Sequence, residues 1–239
     1  MPIKAVLFDM FDTLMLIEKN HEFYSPSLMR MYNYLKRNGV KVSFKKFDAA
    51  YIEARDRLYA KADLNFEEPH FNVRVSETLK SLGYYYDVSS PIVTEATSEF
   101  CAEFIKYVRI DPDAKSTLEE LHGKYKLGII SNFAIPECVF KLLNADHLEE
   151  WFDVIVISGA VNKRKPSPEI FQSTLKTLGV SASETAFVGD TIDADVEGSK
   201  SVGMKAIYIE RREQKASEKF CPDQTIKTLL ELPLALERC

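Results

Sequence analysis

Five short apolar runs punctuate the chain: Ile3 to Phe8, Leu127 to Ile130, Val154 to Ile157, Thr185 to Val188 and Lys205 to Ile209. Their unbroken hydrophobicity, with several rich in β-branched residues, predicts strands buried on both faces. Segments with helical spacing lie between them. Phe171, Leu175 and Leu178 fall at i, i+4 and i+7, entered through Ser167 and Pro168 and closed by Gly179, which is the start and stop chemistry of an α-helix. Strands alternating with helices predict an α/β protein built on a Rossmann-like parallel sheet.

The alternation is interrupted early. The stretch from Asp9 to Ser131 is much longer than that from Ser131 to Asp190, although the second contains a further strand. Residues 16–108 carry no buried-strand run but several amphipathic stretches: Leu28, Met31, Tyr32 and Leu35, then Phe47 to Lys61, Phe71 to Leu82 and Ile92 to Val108. This predicts an inserted helical cap of four helices over residues 16–108, with residues 1–15 and 109–239 forming the α/β core. Asp111, Pro112 and Asp113 supply a turn and a cap for the helix that carries Leu118 and Leu121.

Charge and cysteine content narrow the function classes. With 36 acidic against 31 basic residues the formal charge is −5, so neither nucleic acid nor an anionic membrane is an expected partner. Cys101, Cys138, Cys221 and Cys239 form no CxxC pair and have no histidine at ligand spacing, so reduced thiols are expected rather than a zinc site or a disulfide framework. Lys4 and Asp9 break any signal-peptide core, and apolar runs such as Leu14 to Ile17 are far shorter than the roughly 20 residues that span a bilayer. A cytoplasmic protein is expected.

Candidate chemistry gathers at strand ends. In a parallel sheet the ligand crevice lies beyond the carboxyl ends of the strands. The first run ends in Asp9, the second in Ser131 and Asn132, and the fourth in Gly189 and Asp190. Asp9 suits a nucleophile or a metal ligand, and equally a turn or helix-capping aspartate. Ser131 and Asn132 offer a hydroxyl and an amide to an anionic oxygen, or form an ordinary cap. Lys165, held extended by the proline that follows it, can neutralise developing negative charge or belong to a solvated basic loop. Asp190, Asp193 and Asp195 form an acidic cluster without histidine or cysteine, a donor set that suits Mg²⁺. Asp193 also suits a helix-dipole role.

Taken in order, DMFDT after the first strand, SN after the second, the lysine of KPSPEIF and GDTIDAD after a later strand resemble the haloacid dehalogenase-like hydrolase superfamily, in its branch with an inserted helical cap. The resemblance implies that Asp9 attacks the substrate to form a covalent aspartyl intermediate. It implies that Ser131, Asn132 and Lys165 hold the oxygens of the transferring group and that Thr13 steadies the nucleophile loop. It also implies a Mg²⁺ cofactor on Asp9, the main-chain carbonyl of Phe11 and Asp190, with Asp195 as a direct or water-mediated ligand. A small phosphorylated metabolite is the implied substrate of an aspartyl-phosphate mechanism.

Family phosphatases usually carry a second aspartate, which protonates the leaving oxygen, where this chain has Phe11. Three readings follow. The first is a Mg²⁺-dependent phosphatase in which Asp12, a cap residue or solvent takes that role, or whose leaving group departs without a proton. The second is a 2-haloacid dehalogenase, because halide leaves unprotonated. The third is phospho-ligand or partner binding without turnover. The acids of GDTIDAD place the phosphatase first.

Outside the motifs, His21, His70, His122 and His147 are expected to be structural or exposed. His21, Phe23 and Tyr24 are expected in core packing or a surface turn, with lining of the entrance beneath the cap as the alternative; Tyr84 to Tyr86 are expected to pack, or to form a cap surface or association patch, and Trp151 with Phe152 is expected to anchor a helix on the sheet.

Overall fold

A computed structural model describes residues 2–18, 22–212, 214 and 219–239; His21 lies outside the described residues. The five apolar runs become β1 (Ala5–Phe8), β4 (Lys126–Ser131), β5 (Val154–Ile157), β6 (Thr185–Gly189) and β7 (Lys205–Ile209). With β8 (Gln224–Ile226) they form one sheet in the order β5-β4-β1-β6-β7-β8, and every neighbouring pair is parallel. The α/β, Rossmann-like fold is therefore present, with one more strand in this sheet than the sequence pattern shows.

β1 lies at the centre, and all four of its residues are fully buried. It is flanked by β4 and β6, with Phe8 level with Ile129 and Val188, so Asp9, Ser131 and Asp190 leave adjacent strands at the same edge. Gly128 in β4 is dictated by packing. A Cβ there would lie 2.7 Å from both Leu7 Cδ2 and Val154 Cγ1, too close for any other residue.

Helices α5 (Ala114–Leu121), α6 (Pro136–Ala145), α7 (Ser158–Val161), α8 (Pro168–Leu178), α9 (Gly198–Ser201) and α10 (Leu232–Glu237) surround the sheet. In α8, Phe171, Leu175 and Leu178 face the core, Ser167 caps the start and Gly179 closes the end at φ +66. Asp113 does not cap α5 with its side chain. Instead Asp111 is buried, accepting from the Asp113 N–H and pairing with Arg211 at 2.6 Å. Phe152 packs edge-on against Phe8, and Trp151 meets His122.

The cap consists of α1 (Tyr24–Arg37), α2 (Phe44–Asn65), α3 (Phe71–Ser81) and α4 (Pro91–Phe104). It hangs on two short antiparallel strands, β2 (Met15–Ile17) and β3 (Val108–Ile110), registered Met15 to Ile110 and Ile17 to Val108. The periodic pattern of the fourth stretch thus overruns α4, because Ile105 to Tyr107 form a 3₁₀ turn and Val108 opens a strand. Tyr24, Tyr51, Phe71 and Phe100 stack in a chain between the cap helices. Cys101 and Cys138, both buried, are free thiols, as are Cys221 and Cys239. Tyr85 is exposed, whereas Tyr84 accepts a hydrogen bond from the Lys41 N–H. No helix among the described residues is long and apolar enough to cross a membrane.

Candidate active site

The turn after β1 is built by its backbone. The Asp9 N–H donates to the Val188 carbonyl, and the Met10 carbonyl collects the N–H groups of Thr13, Leu14 and Met15. Asp12 takes the left-handed conformation at φ 58, which aspartate tolerates better than most residues. Its carboxylate accepts from the Ile17 N–H at 3.1 Å and lies 3.6 Å from Arg212, so it braces the stem of the cap.

Asp9, Lys165 and Asp195 come together at the centre. The Lys165 ammonium is 2 % exposed and donates to Asp9 Oδ1 at 2.6 Å and to Asp195 Oδ1 at 2.7 Å, with its charge 5.0 Å above the Phe187 ring. Burial alone would lower the lysine pKa, but Asp195 and Asp9 outweigh it and hold the group above its ordinary range. Asn132 fixes this lysine from behind: its Oδ1 accepts from the Lys165 N–H and its Nδ2 donates to the Lys165 carbonyl. Thr13 is fully buried, with its hydroxyl 3.5 Å from Asp9 Oδ2, a long contact.

Asp9, Asp190 and Asp195 each present a carboxylate oxygen within 4.8 Å of the others. Burial, Asp9 and Asp195 push Asp190 up to about 8 against the pull of Arg212. Burial likewise raises Asp9 to about 6, with Asp195 adding to the shift and Lys165 opposing it. The trio carries more negative charge than its protein neighbours cancel, a condition a divalent cation relieves. Asp195 Oδ2 accepts from the N–H and hydroxyl of Thr191. It is brought inward by a π-helical turn over Ile192–Glu197, a distortion frequent at functional sites. Gly189 makes room for it, since a Cβ at that position would stand 2.4 Å from Asp195 Cγ. Asp193 is exposed and caps only the Ala194 N–H.

Two further donors are positioned for ligands. Ser131 Oγ is buried with no hydrogen-bond partner, and the Phe11 carbonyl accepts no hydrogen bond among the described residues. The Phe11 ring instead joins Phe133 at 4.8 Å and Phe104 at 5.6 Å. The wall beside Asp9 is therefore aromatic.

Sequence reasoning did not single out Arg211, Arg212 and Gln214. They follow β7 and grip the site from outside: Arg211 donates to the Asp12 and Thr13 carbonyls, Arg212 pairs with Asp190 at 3.0 Å, and Gln214 donates to the Asp190 carbonyl. Their one sequence signal is a polar, basic run at the carboxyl end of a buried strand.

The sequence profile of haloacid dehalogenase-like hydrolases matches residues 3–203. The chain belongs to this family of hydrolases. Over 210 residues it is 30% identical to a glyceraldehyde 3-phosphate phosphatase of Pyrococcus abyssi (strain GE5 / Orsay), covering 86% of this chain and 81% of that protein. Over 125 residues it is 30% identical to a phosphoserine phosphatase of Thermus thermophilus, covering 52% of this chain and 50% of that one. Among solved structures, a HAD phosphatase from Thermococcus onnurineus superposes with TM-score 0.67 at 28% identity, covering 98% of both chains. A 2-haloacid dehalogenase from Pseudomonas syringae pv. Tomato DC3000 superposes with TM-score 0.78 at 24% identity over 99% of both chains, a likeness of fold. The strand order reverses at β1 and β6, and in open parallel sheets ligands bind in the crevice at such a switch point.

Proposed function

We propose that the chain is a Mg²⁺-dependent phosphatase that hydrolyses a small phosphorylated metabolite through an aspartyl-phosphate on Asp9. The observation that carries this reading is the convergence of Asp9, Asp190 and Asp195 within 4.8 Å beside the buried Lys165. A phosphoryl group and a carboxylate repel each other, so attack needs positive charge already in place. Phosphatase-named relatives along most of the chain support the same reading.

The donor set fits the metal. All side-chain donors are oxygens, the Phe11 carbonyl accepts no hydrogen bond among the described residues, and burial first, then repulsion from Asp9 and Asp195, raises the pKa of Asp190, a repulsion that a cation would relieve. Mg²⁺ would be held by Asp9, the Phe11 carbonyl and Asp190. Asp195, whose two oxygens already serve Lys165 and Thr191, suits a water-mediated place. When bound, the ion supplies Lewis-acid neutralisation of phosphoryl oxygens.

The residues divide the remaining work. Asp9 Oδ1 is held by Lys165, which leaves Oδ2 to form the bond to phosphorus while the ester oxygen departs with its electron pair. Ser131 Oγ and the Lys165 ammonium hold phosphoryl oxygens, and Asn132 positions the lysine. Water then attacks phosphorus, releasing phosphate and restoring the Asp9 carboxylate. Thr13 steadies the turn, and the helical cap covers the site and limits water.

Phe11 favours a second reading in one respect. With an aromatic ring in place of an acid, the leaving group receives no proton from that position, as suits halide departure from a 2-haloacid. One paired assay decides. Phosphate release from an aryl phosphate that needs Mg²⁺ and vanishes in Asp9→Asn is the expected result. Halide release from a 2-haloacid in chelator would replace this reading with the dehalogenase. A folded protein with neither activity would replace it with ligand binding alone.

A further inference from the structure

Above the site, between the cap and the end of β4, lies a cavity of about 200 Å³ whose wall includes Tyr24, Tyr59, Arg74, Asn132 and Phe133. Arg74, on α3, is 8 % exposed. A cation so far from water ordinarily faces a carboxylate. Among the described residues this guanidinium meets none; its Nη1 donates to Tyr51 Oη at 3.2 Å, and Tyr59 is its other polar neighbour. The rings of Tyr59, Phe71 and Tyr51 surround it at 5.0, 5.2 and 5.7 Å, which offsets part of the desolvation.

The Nε–H of Arg74 is buried without an acceptor. Nε and Nη2 share one edge of the guanidinium, and that edge is the fork that matches the two oxygens of a carboxylate. Tyr24 Oη, on the same cavity wall, is also buried and makes no hydrogen bond of normal geometry although Tyr51 and Arg55 lie beside it, and Ser131 Oγ at the foot of the crevice is buried without a partner. Three orphaned polar atoms thus run from the cap to the strand end, and Asn132 belongs both to the cavity wall and to the lysine clamp.

We infer that Arg74, assisted by Tyr24, anchors a substrate carboxylate, so that the substrate is a phosphorylated carboxylic acid; the phosphorylated part rests on the phosphatase reading above. Glu68 shares the cavity wall, with its Oε2 accepting from the Ser158 hydroxyl and its Oε1 lying 3.9 Å from Arg164. A singly charged carboxylate suits that surrounding better than a second phosphate.

The test is titration calorimetry with Mg²⁺ and two inert probes of equal length, 3-phosphonopropionate and propylphosphonate. Charge-assisted bonds to a buried fork predict about 10- to 100-fold tighter binding of the carboxylate probe. In Arg74→Gln and Arg74→Lys that preference should shrink at least fivefold while propylphosphonate binding holds within about twofold. Equal affinities in the wild-type protein, or a preference that survives Arg74→Gln, would overturn the inference. The wild-type comparison decides even where a variant folds poorly. Aryl-phosphate turnover on the same preparation tests the phosphatase reading separately: its absence beside carboxylate-dependent binding would remove the phosphatase and leave Arg74 as the anchor.

Discussion

The side-chain amide of Asn132 and the backbone of Lys165 exchange two hydrogen bonds, 2.8 Å into Oδ1 and 2.9 Å from Nδ2. Because Asn132 directly follows β4, a buried strand hydrogen-bonded to both β1 and β5, this exchange transfers the position of the strand to the ammonium that contacts Asp9. Asn132→Ala should therefore lower kcat about 10- to 100-fold with a smaller change in KM, since a shift of about 1 Å at a reacting group has effects of this order. Stability should fall by about 1–3 kcal/mol for the two lost bonds. Aryl-phosphate kinetics and urea unfolding check both, and a rise confined to KM would show that Asn132 acts on substrate instead.

Lys165 neutralises two buried carboxylates at once. Lys165→Met should abolish turnover and destabilise the fold by about 3–5 kcal/mol near neutral pH, because Asp9 and Asp195 would be left without their cation. The Asp9 pKa, which Lys165 lowers, would then rise, so the loss should shrink as pH falls and Asp9 protonates. Denaturant midpoints at pH 5 and pH 8 test the sign. Adding Asp195→Asn to Lys165→Met should recover part of the stability without recovering activity.

Much of this geometry is legible before any coordinates. Asp9, Ser131 and Asp190 end short, unbroken apolar runs, and the rule that parallel sheets bind ligands at strand ends brings them together. What escapes has weak local signals. β8 is three residues at the sheet edge with a polar start, and β2 and β3 are three residues each, too short for period-two patterning. Arg74 stands between Val73 and Val75 on an amphipathic helix, where charge ordinarily marks the solvent side; only the tertiary ring of Tyr51, Tyr59 and Phe71 puts it inside. Arg212 reads as loop charge until the sheet brings it to Asp190.

Metal and pH should be linked through Asp190. In chelator its folded-state pKa of about 8 lies above the ordinary 3.8, so the folded protein keeps a proton that the unfolded chain releases. This contribution is fully present below about pH 4 and is lost as pH rises to about 8; Asp9, at about 6, adds a similar loss over the lower part of that range. A cation that binds the ionised acids reverses the trend. The rise in Tm on adding Mg²⁺ should thus be larger at pH 8 than at pH 5.5, and Asp190→Asn in chelator should flatten the decline relative to wild type. A Mg²⁺ effect independent of pH would count against these acids as the binding site.

Phe11 makes the sharpest prediction about chemistry. Its ring is packed with Phe104 and Phe133, so on the phosphatase reading the leaving oxygen would depart beside hydrocarbon and without a carboxylic acid at that position. Rates should accordingly depend steeply on leaving-group acidity, with aryl phosphates turned over far faster than alkyl phosphates. Phe11→Asp places an acid two residues beyond the nucleophile and should raise alkyl-phosphate turnover by up to about 10²-fold, the lower end of what a positioned acid contributes, while aryl-phosphate turnover changes little. The aspartate also loses the aromatic contacts, so a modest fall in Tm should accompany the gain. If alkyl and aryl substrates respond equally to the substitution, proton donation is not what limits the wild-type enzyme, and the role of Phe11 is to shape the site for its substrate.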